Sequence, residues 1–209
     1  HPNPDILKRV NDLLEQRHWQ MTLAALACVS SGYAEDHPAA GSLGDYEYET
    51  IQVDFLSETL MSVVEAGGTY CGGAHPNNHS DPFTLDLIRG EYLDWNRLFK
   101  AFVRGEYGFR KPSPEMMALI EQIPKEEGLE DCTSAETMRD YLALHFDKPG
   151  HLALAISGIG HCCGYCLGTQ AEIPFSKLNK LLKPEAQRYF PELKPTREKN
   201  QRGDGAADH

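Results

Sequence analysis

The chain is poor in basic residues and has no long apolar run. It carries 20 Lys and Arg against 31 Asp and Glu in 209 residues, so its formal net charge at pH 7 is −11. Nucleic-acid binding needs clustered basic side chains that neutralise phosphates, and the composition excludes that class of partner. No run of 18 or more apolar residues occurs, so we expect no membrane-spanning helix.

Several enzyme signatures are also missing. The sequence contains no Gly-x-Ser-x-Gly elbow, no phosphate-binding loop and no dinucleotide fingerprint. Acidic pairs such as Glu126–Glu127 and Glu130–Asp131 are typical of solvated faces rather than of catalytic carboxylates. These absences favour a protein that is not an enzyme and needs no cofactor.

The pattern of apolar residues predicts an α+β fold. Apolar residues recur at helical spacing from Asp5 to Cys28, and the apolar patch from Met21 to Val29 is expected to be the buried end of that helix. Further helices are predicted at about 95–104, 113–123, 133–146 and, as a helix or turn, 175–182. Strands are predicted at 46–56, 59–70, 83–87, 91–94, 151–157 and 167–174. Locally paired strands with helices in a separate block indicate an antiparallel or mixed sheet of about five to six strands packed against helices.

The chain length and composition predict one domain. We place it at residues 1–190, with a helical insert at about 104–146 and a polar, disordered tail at 191–209. Inside the second strand, Gly67-Gly68 predicts a bulge or a close backbone approach.

Six cysteines admit three kinds of chemistry. They are Cys28, Cys71, Cys132, Cys162, Cys163 and Cys166. An even number is compatible with structural disulfides, which would indicate an oxidising compartment. The pairings we expect are Cys28 with Cys132, and Cys71 with one of the three cysteines at 162–166.

The last cysteine cluster leaves two alternatives open. Cys163 and Cys166 form a Cys-x-x-Cys motif, which supports redox chemistry when it opens a helix, but a strand follows it here. A zinc site would use these cysteines with His161 and a second loop. A zinc- or thiol-dependent envelope enzyme centred on His75, His79, His161 and the cysteine cluster is therefore the alternative hypothesis.

A polar loop follows Cys71 and is the candidate contact surface. Gly72-Gly73 ends the preceding strand, and the loop at 75–81 then carries His75, Pro76, Asn77, Asn78 and His79. The spacing of the two histidines would suit a metal on a helix, but the proline and asparagines argue against a helix here. Exposed loops commonly carry binding residues, and we expect this one to contact a partner.

A hairpin follows this loop. Phe83–Leu87 and Glu91–Asp94 are its strands, Arg89-Gly90 is its turn, and Asp94 caps the next helix. Tyr92 and Trp95 are added to the predicted contact surface, because tyrosine and tryptophan are frequent interface anchors.

Two motifs carry a resemblance to a known family. Gly72-Gly73-Ala74-His75 is followed by Phe83-Thr84-Leu85-Asp86-Leu87, and a strand with Ile173-Pro174-Phe175 comes near the end. This arrangement resembles a bacterial family of extracytoplasmic domains of unknown function, typified by the lysozyme-binding C-terminal domain of the RsiV anti-sigma factor.

The resemblance implies a periplasmic or secreted α+β domain that binds a protein or a peptidoglycan component. A lysozyme-type hydrolase is the first partner to consider, because such hydrolases are basic and this chain is acidic. A structural accessory domain of an envelope protein is a further alternative.

Overall fold

The computed structural model describes residues 1–34, 49–71, 77–105, 108–124 and 131–191, and for His161 and Cys162 only the backbone. The predicted contact residues His75 and Pro76 lie outside these ranges. So does the predicted tail, apart from Pro191.

Five α-helices lie in the described part of the chain. They are α1 (Pro4–Ala34), α2 (Trp95–Leu98), α3 (Pro114–Ile120), α4 (Ala135–Tyr141) and α5 (Ala186–Tyr189). The Asp94 side chain caps α2 as predicted, by accepting a hydrogen bond from the Asn96 backbone N–H. Helix α3 begins after Ser113 with a proline in its first turn. Helix α4 is capped by Ser134, whose side chain accepts a hydrogen bond from the Thr137 backbone N–H.

In the same described ranges, nine strands form three antiparallel sheets. Their bounds are β1 (Thr50–Leu56), β2 (Leu60–Thr69), β3 (Asn77–Asp86), β4 (Glu91–Tyr92), β5 (Phe102–Arg104), β6 (Arg110–Pro112), β7 (Leu142–His145), β8 (His151–Ile156) and β9 (Gly168–Pro174). The sheets have the orders β1-β2-β3-β4, β5-β6 and β7-β8-β9. The predicted α+β class is confirmed, although the strands are divided among three sheets rather than gathered in one.

Helix α1 packs on one face of the four-stranded sheet. Ile6 and Val10 are buried there against Val63, Phe83 and Leu85. At the other end of the helix, Cys28 is bonded to Cys71, just beyond β2. Helix α1 therefore runs in the same direction as β2.

The larger core lies on the other side of that sheet. Phe146, which follows β7, is fully buried and packs against Trp95, with ring centroids 5.2 Å apart. A buried polar contact joins the two larger sheets: the Phe146 backbone N–H donates to Ser62 Oγ at 3.1 Å, and Ser62 Oγ lies 2.6 Å from Thr84 Oγ1. Buried polar groups of this kind fix one packing arrangement because each is costly to leave unpaired.

The aspartate of the Phe-x-Leu-Asp-Leu motif is structural. Asp86 is fully buried and accepts hydrogen bonds from the backbone N–H groups of Ile88 and Arg89. The Tyr189 hydroxyl donates to its second oxygen at 2.6 Å. Burial, together with this hydrogen bond to Asp86, raises the pKa of Tyr189. The Phe-x-Leu-Asp-Leu motif thus connects the β3–β4 turn to helix α5. Gly90 in that turn has φ +68°.

Both predicted cysteine pairings are wrong. The disulfides are Cys28–Cys71 and Cys132–Cys166. The first follows from the parallel course of α1 and β2, which brings Cys28 beside the end of β2. The second joins the segment before α4 to the 3-10 turn at His161–Cys166 that precedes β9.

Four local predictions also need correction. The helix predicted at about 95–104 ends at Leu98, because Phe99 is extended. The Asn96 side chain then hydrogen-bonds to both the N–H and the C=O of Phe102. The predicted helix at 133–146 ends at Tyr141, so the insert at about 104–146 contains β6 and β7 as well as two helices. Pairing runs without a bulge through Gly67 and Gly68, and the irregularity lies in β1 instead, between Val53 and Phe55. Four of the nine residues in the Met21–Val29 patch are exposed, and only Cys28 is buried.

Candidate binding site

The predicted contact residues divide into surface and core positions. Asn77 and Asn78 are exposed, and His79 is half-buried. They begin β3 rather than forming a loop, because β2 extends far enough for Thr69 to pair with Asn77. Tyr92 is 42% exposed, whereas Trp95 is only 8% exposed. The prediction that Trp95 is a surface anchor is therefore wrong, since its ring is needed in the core.

Successive residues of β3 point to opposite faces of the sheet. His79 pairs in register with Gly67 and lies on the face that α1 covers. Its Nε2 is 3.1 Å from Glu49 Oε2, across the backbone of Gly67. A β-carbon on Gly67 would lie only 2.7 Å from Glu49 Cδ. The predicted close approach at Gly67 is thus real, but the group that approaches is the Glu49 carboxylate.

Arg17 connects α1 to the same face. Its Nη2 lies 2.7 Å from Glu65 Oε2, and its guanidinium carbon lies 4.2 Å from the centroid of the Phe83 ring. Burial by itself lowers the pKa of Arg17, but hydrogen bonds and Coulomb attraction from Glu65 and Tyr92 outweigh burial and raise it. Tyr92 is thus a second hydrogen-bond partner of Arg17, beside Glu65.

These residues enclose an acid-lined cleft of about 300 Å³ between α1 and the sheet. Three carboxylates line it, from Glu49, Glu65 and Asp81. Glu65 is held by Arg17, and Asp81 accepts a hydrogen bond from Ser157 Oγ at 2.7 Å. Glu49 Oε1 is buried and has no hydrogen-bond donor among the described residues. A donor group brought into the cleft would supply the missing bond.

Sequence reasoning found only one side of this cleft. Among its lining residues the sequence predicts His79 as a contact residue, but not Arg17, Glu49, Glu65 or Asp81. Glu49 and Glu65 are 16 positions apart in sequence, and only the pairing of β1 with β2 brings them together. The nearest signal in the sequence is the glycine pair at 67–68, which marks where one of the carboxylates crosses the strand.

A second polar cluster lies on the three-stranded sheet and shares no residue with the cleft. His145 is buried, and its Nε2 lies 2.9 Å from Thr169 Oγ1. Its Nδ1 is 3.6 Å from Asp54 Oδ2, too far for a hydrogen bond. Burial lowers the pKa of His145, and the charges of Asp54 and Glu172 oppose this only in part. The ring is therefore held neutral, and the cluster contributes mainly to the packing of this sheet.

Another cavity, of about 880 Å³, runs along the outer edge of β9. It is lined by β9 itself and by the segment that ends α3, and it includes Glu172 and Lys177. One acidic and one basic side chain give it no net charge of either sign. We favour the smaller cleft, since it concentrates three carboxylates and includes His79, one of the predicted contact residues.

The described residues do not bring His79 together with the cysteine cluster of the alternative hypothesis, and His75 lies outside them. The 3-10 turn at His161–Cys166 lies near Asn78, on the face of the sheet opposite to His79. Cys166 is bonded to Cys132. Within the described ranges, no group of three or more His, Cys, Asp or Glu side chains is arranged to hold a metal ion. The side chains of His161 and Cys162 lie outside what the structure describes.

Comparison of the chain with protein-family models, with curated proteins and with solved structures finds no match.

Proposed function

We propose that this protein is an extracytoplasmic, non-enzymatic binding domain that captures a basic protein. The observation that carries the proposal is the cleft between α1 and the four-stranded sheet, in which three carboxylates converge and one buried oxygen of Glu49 has no donor within the described residues. A lysine or arginine side chain of a partner has the charge and the N–H groups that such a cleft selects.

Charge supports a protein rather than a glycan as the partner. The chain has a formal net charge of −11, and only Arg17 among the cleft's basic side chains offsets its three carboxylates. A surface of this sign accelerates association with a basic protein and repels acidic ones. The resemblance to lysozyme-binding domains makes a lysozyme-type hydrolase the first partner to test.

The extracytoplasmic location is supported by the cysteines. Two disulfides lie among the described residues, Cys28–Cys71 and Cys132–Cys166. Disulfides persist mainly in secreted or periplasmic proteins. In the ranges that the structure covers, no helix is both long and apolar enough to cross a bilayer.

Calorimetric titration of the purified protein with a lysozyme-type hydrolase tests the proposal. We expect binding that weakens as salt is raised from about 50 to about 500 mM, because the screening of surface charges grows over that interval. Glu49→Gln should weaken binding by about ten-fold or more, because a hydrogen bond to a charged group contributes about 1.5–3 kcal/mol. Glu58→Gln removes the same charge from the exposed β1–β2 turn and is the matched control.

Two results would contradict the proposal. One is the absence of salt-sensitive binding to basic hydrolases, including the case in which peptidoglycan fragments bind instead. The other is equal weakening by Glu49→Gln and Glu58→Gln, which would show a general charge effect with no role for the cleft.

A further inference from the structure

Helix α1 has a second apolar stripe that the rest of the described chain leaves exposed. Four large side chains along its later half are each more than half exposed: Trp19 at 56%, Leu23 at 63%, Leu26 at 62% and Tyr33 at 63%. They are separated by four, three and seven positions, so they follow one another along one side of the helix.

This stripe lies on the side of α1 that faces away from the sheet. Residues of an α-helix advance by about 100° each, which places Leu26 roughly opposite the inner positions Arg17 and Cys28. Those inner positions are tied to the sheet by the Arg17–Glu65 ion pair and by the disulfide to Cys71. The stripe is therefore held in a fixed orientation, and its four side chains add nothing to the core.

The helix around the stripe is uncharged. No Asp, Glu, Lys or Arg occurs from His18 to Ala34, although the chain as a whole contains 51 such residues. An anionic lipid surface is a poor occupant for this stripe, because the protein as a whole is strongly acidic. An uncharged apolar surface of this kind is complementary to another uncharged apolar surface.

The spacing is self-complementary. Trp19 and Tyr33 are each seven positions from Leu26, so two antiparallel copies of α1 that cross at Leu26 place Trp19 of each copy opposite Tyr33 of the other. The exposed small side chain of Ser30 then lies near Leu23 of the second copy, and small residues opposite large ones allow side chains to interdigitate. A two-fold axis requires a surface of this kind, which contacts itself.

We propose that the protein forms a symmetric dimer through the outer stripe of α1, with a second copy of this chain as its occupant. Each of the four side chains has on the order of 100 Å² left to bury. With the small residues between them, two copies bury about 1,000 Å² in total, the lower limit for a specific interface. A dimer of this size has a dissociation constant in roughly the micromolar range.

The dimer is independent of the acid-lined cleft, which lies on the inner side of the helix. Its salt dependence has the opposite sign. Two copies that each carry a formal charge of −11 repel one another, so added salt strengthens the dimer, whereas it weakens the binding of a basic protein. A result that refutes one of the two proposals therefore does not refute the other.

Sedimentation equilibrium over roughly 1–200 µM protein tests the proposal, a range that brackets a micromolar dissociation constant. We expect a monomer–dimer equilibrium that shifts toward dimer with salt, accompanied by a blue shift of Trp19 fluorescence at high concentration. Replacing both stripe leucines, Leu23→Ser with Leu26→Ser, should weaken the dimer at least ten-fold. Leu56→Ser is the matched control, since Leu56 is 66% exposed on β1, away from the stripe. Both stripe positions are exposed, and unchanged circular dichroism would verify that the variants fold.

Wild-type protein that stays monomeric across this range would overturn the proposal. The occupant of the stripe would then be a different protein. A dimer that persists in the double leucine variant, or one that is weakened equally by Leu56→Ser, would also overturn it, because the interface would then lie elsewhere.

Discussion

Gly67→Ala isolates the geometry of the cleft without changing its charge. The added β-carbon would lie 2.7 Å from Glu49 Cδ and 2.8 and 2.9 Å from the two carboxylate oxygens. These atoms end a flexible side chain, so the carboxylate moves and the strand stays in place. Alanine stabilises a strand position by about 0.5–1 kcal/mol relative to glycine. Loss of the Glu49–His79 contact costs about 0.2–1 kcal/mol, because it is partly exposed.

The two contributions nearly cancel, so we expect the free energy of unfolding to stay within about 1 kcal/mol of wild type. Binding of a basic protein should weaken about ten-fold, since the displaced carboxylate loses a charge-assisted hydrogen bond of about 1.5 kcal/mol. Urea denaturation measures the first quantity and calorimetry the second. Gly68→Ala is the control, because its β-carbon would approach Asn78 Oδ1 at 2.9 Å on the opposite face. Unchanged binding in Gly67→Ala, or equal weakening in Gly68→Ala, would refute the reasoning.

Three further predictions concern stability. Tyr189→Phe removes a hydrogen-bond donor to the fully buried Asp86. It should lower the free energy of unfolding, measured by urea denaturation, by about 1.5–3 kcal/mol. A loss below about 0.5 kcal/mol would show that Asp86 does not need this hydrogen bond. Burial depresses the pKa of His145 in the folded state, so protonation favours the unfolded chain and stability falls as pH drops below the ordinary value near 6.5. The urea midpoint should decline less between about pH 7 and 5 in His145→Gln than in wild type, and equal declines would contradict the assignment. Replacing Cys28 and Cys71 together by serine removes a cross-link between residues 43 positions apart. The lost loop constraint should lower the free energy of unfolding by about 4 kcal/mol. The number of free thiols counted under denaturing conditions should not change. An unchanged urea midpoint would show that the bond does not constrain the fold.

The periodic and capped parts of the fold could be predicted from the sequence. The first helix, the hairpin after Phe83 and the two strands at 151–157 and 167–174 all have strong local signals, and each is present. Strand β7 could not be predicted in this way, because its four residues continue the apolar pattern of α4. They become a strand only through pairing with β8, in which Leu142 lies opposite Ile156.

The candidate site depends on contacts that no local pattern encodes. Glu49 reaches His79 across Gly67, and Arg17 reaches Glu65 from a separate helix. Charged residues carry no local sign of such partners, because acidic side chains are usually solvated. Leu23 and Leu26 of the outer stripe fall in the patch predicted to be buried, because a helical apolar pattern alone does not say which of two faces the sheet will cover.

Zero-length cross-linking with a carbodiimide, followed by mass spectrometry, tests the central claim most directly. The reagent joins a carboxylate to an amine only when the two are in contact, so it identifies the acidic side chains that meet the lysines of a bound basic protein. We expect cross-links at Glu49 or Asp81, which line the cleft and are not held by Arg17. Cross-links confined to Glu172 beside β9, or to the exposed Glu58, would contradict the account.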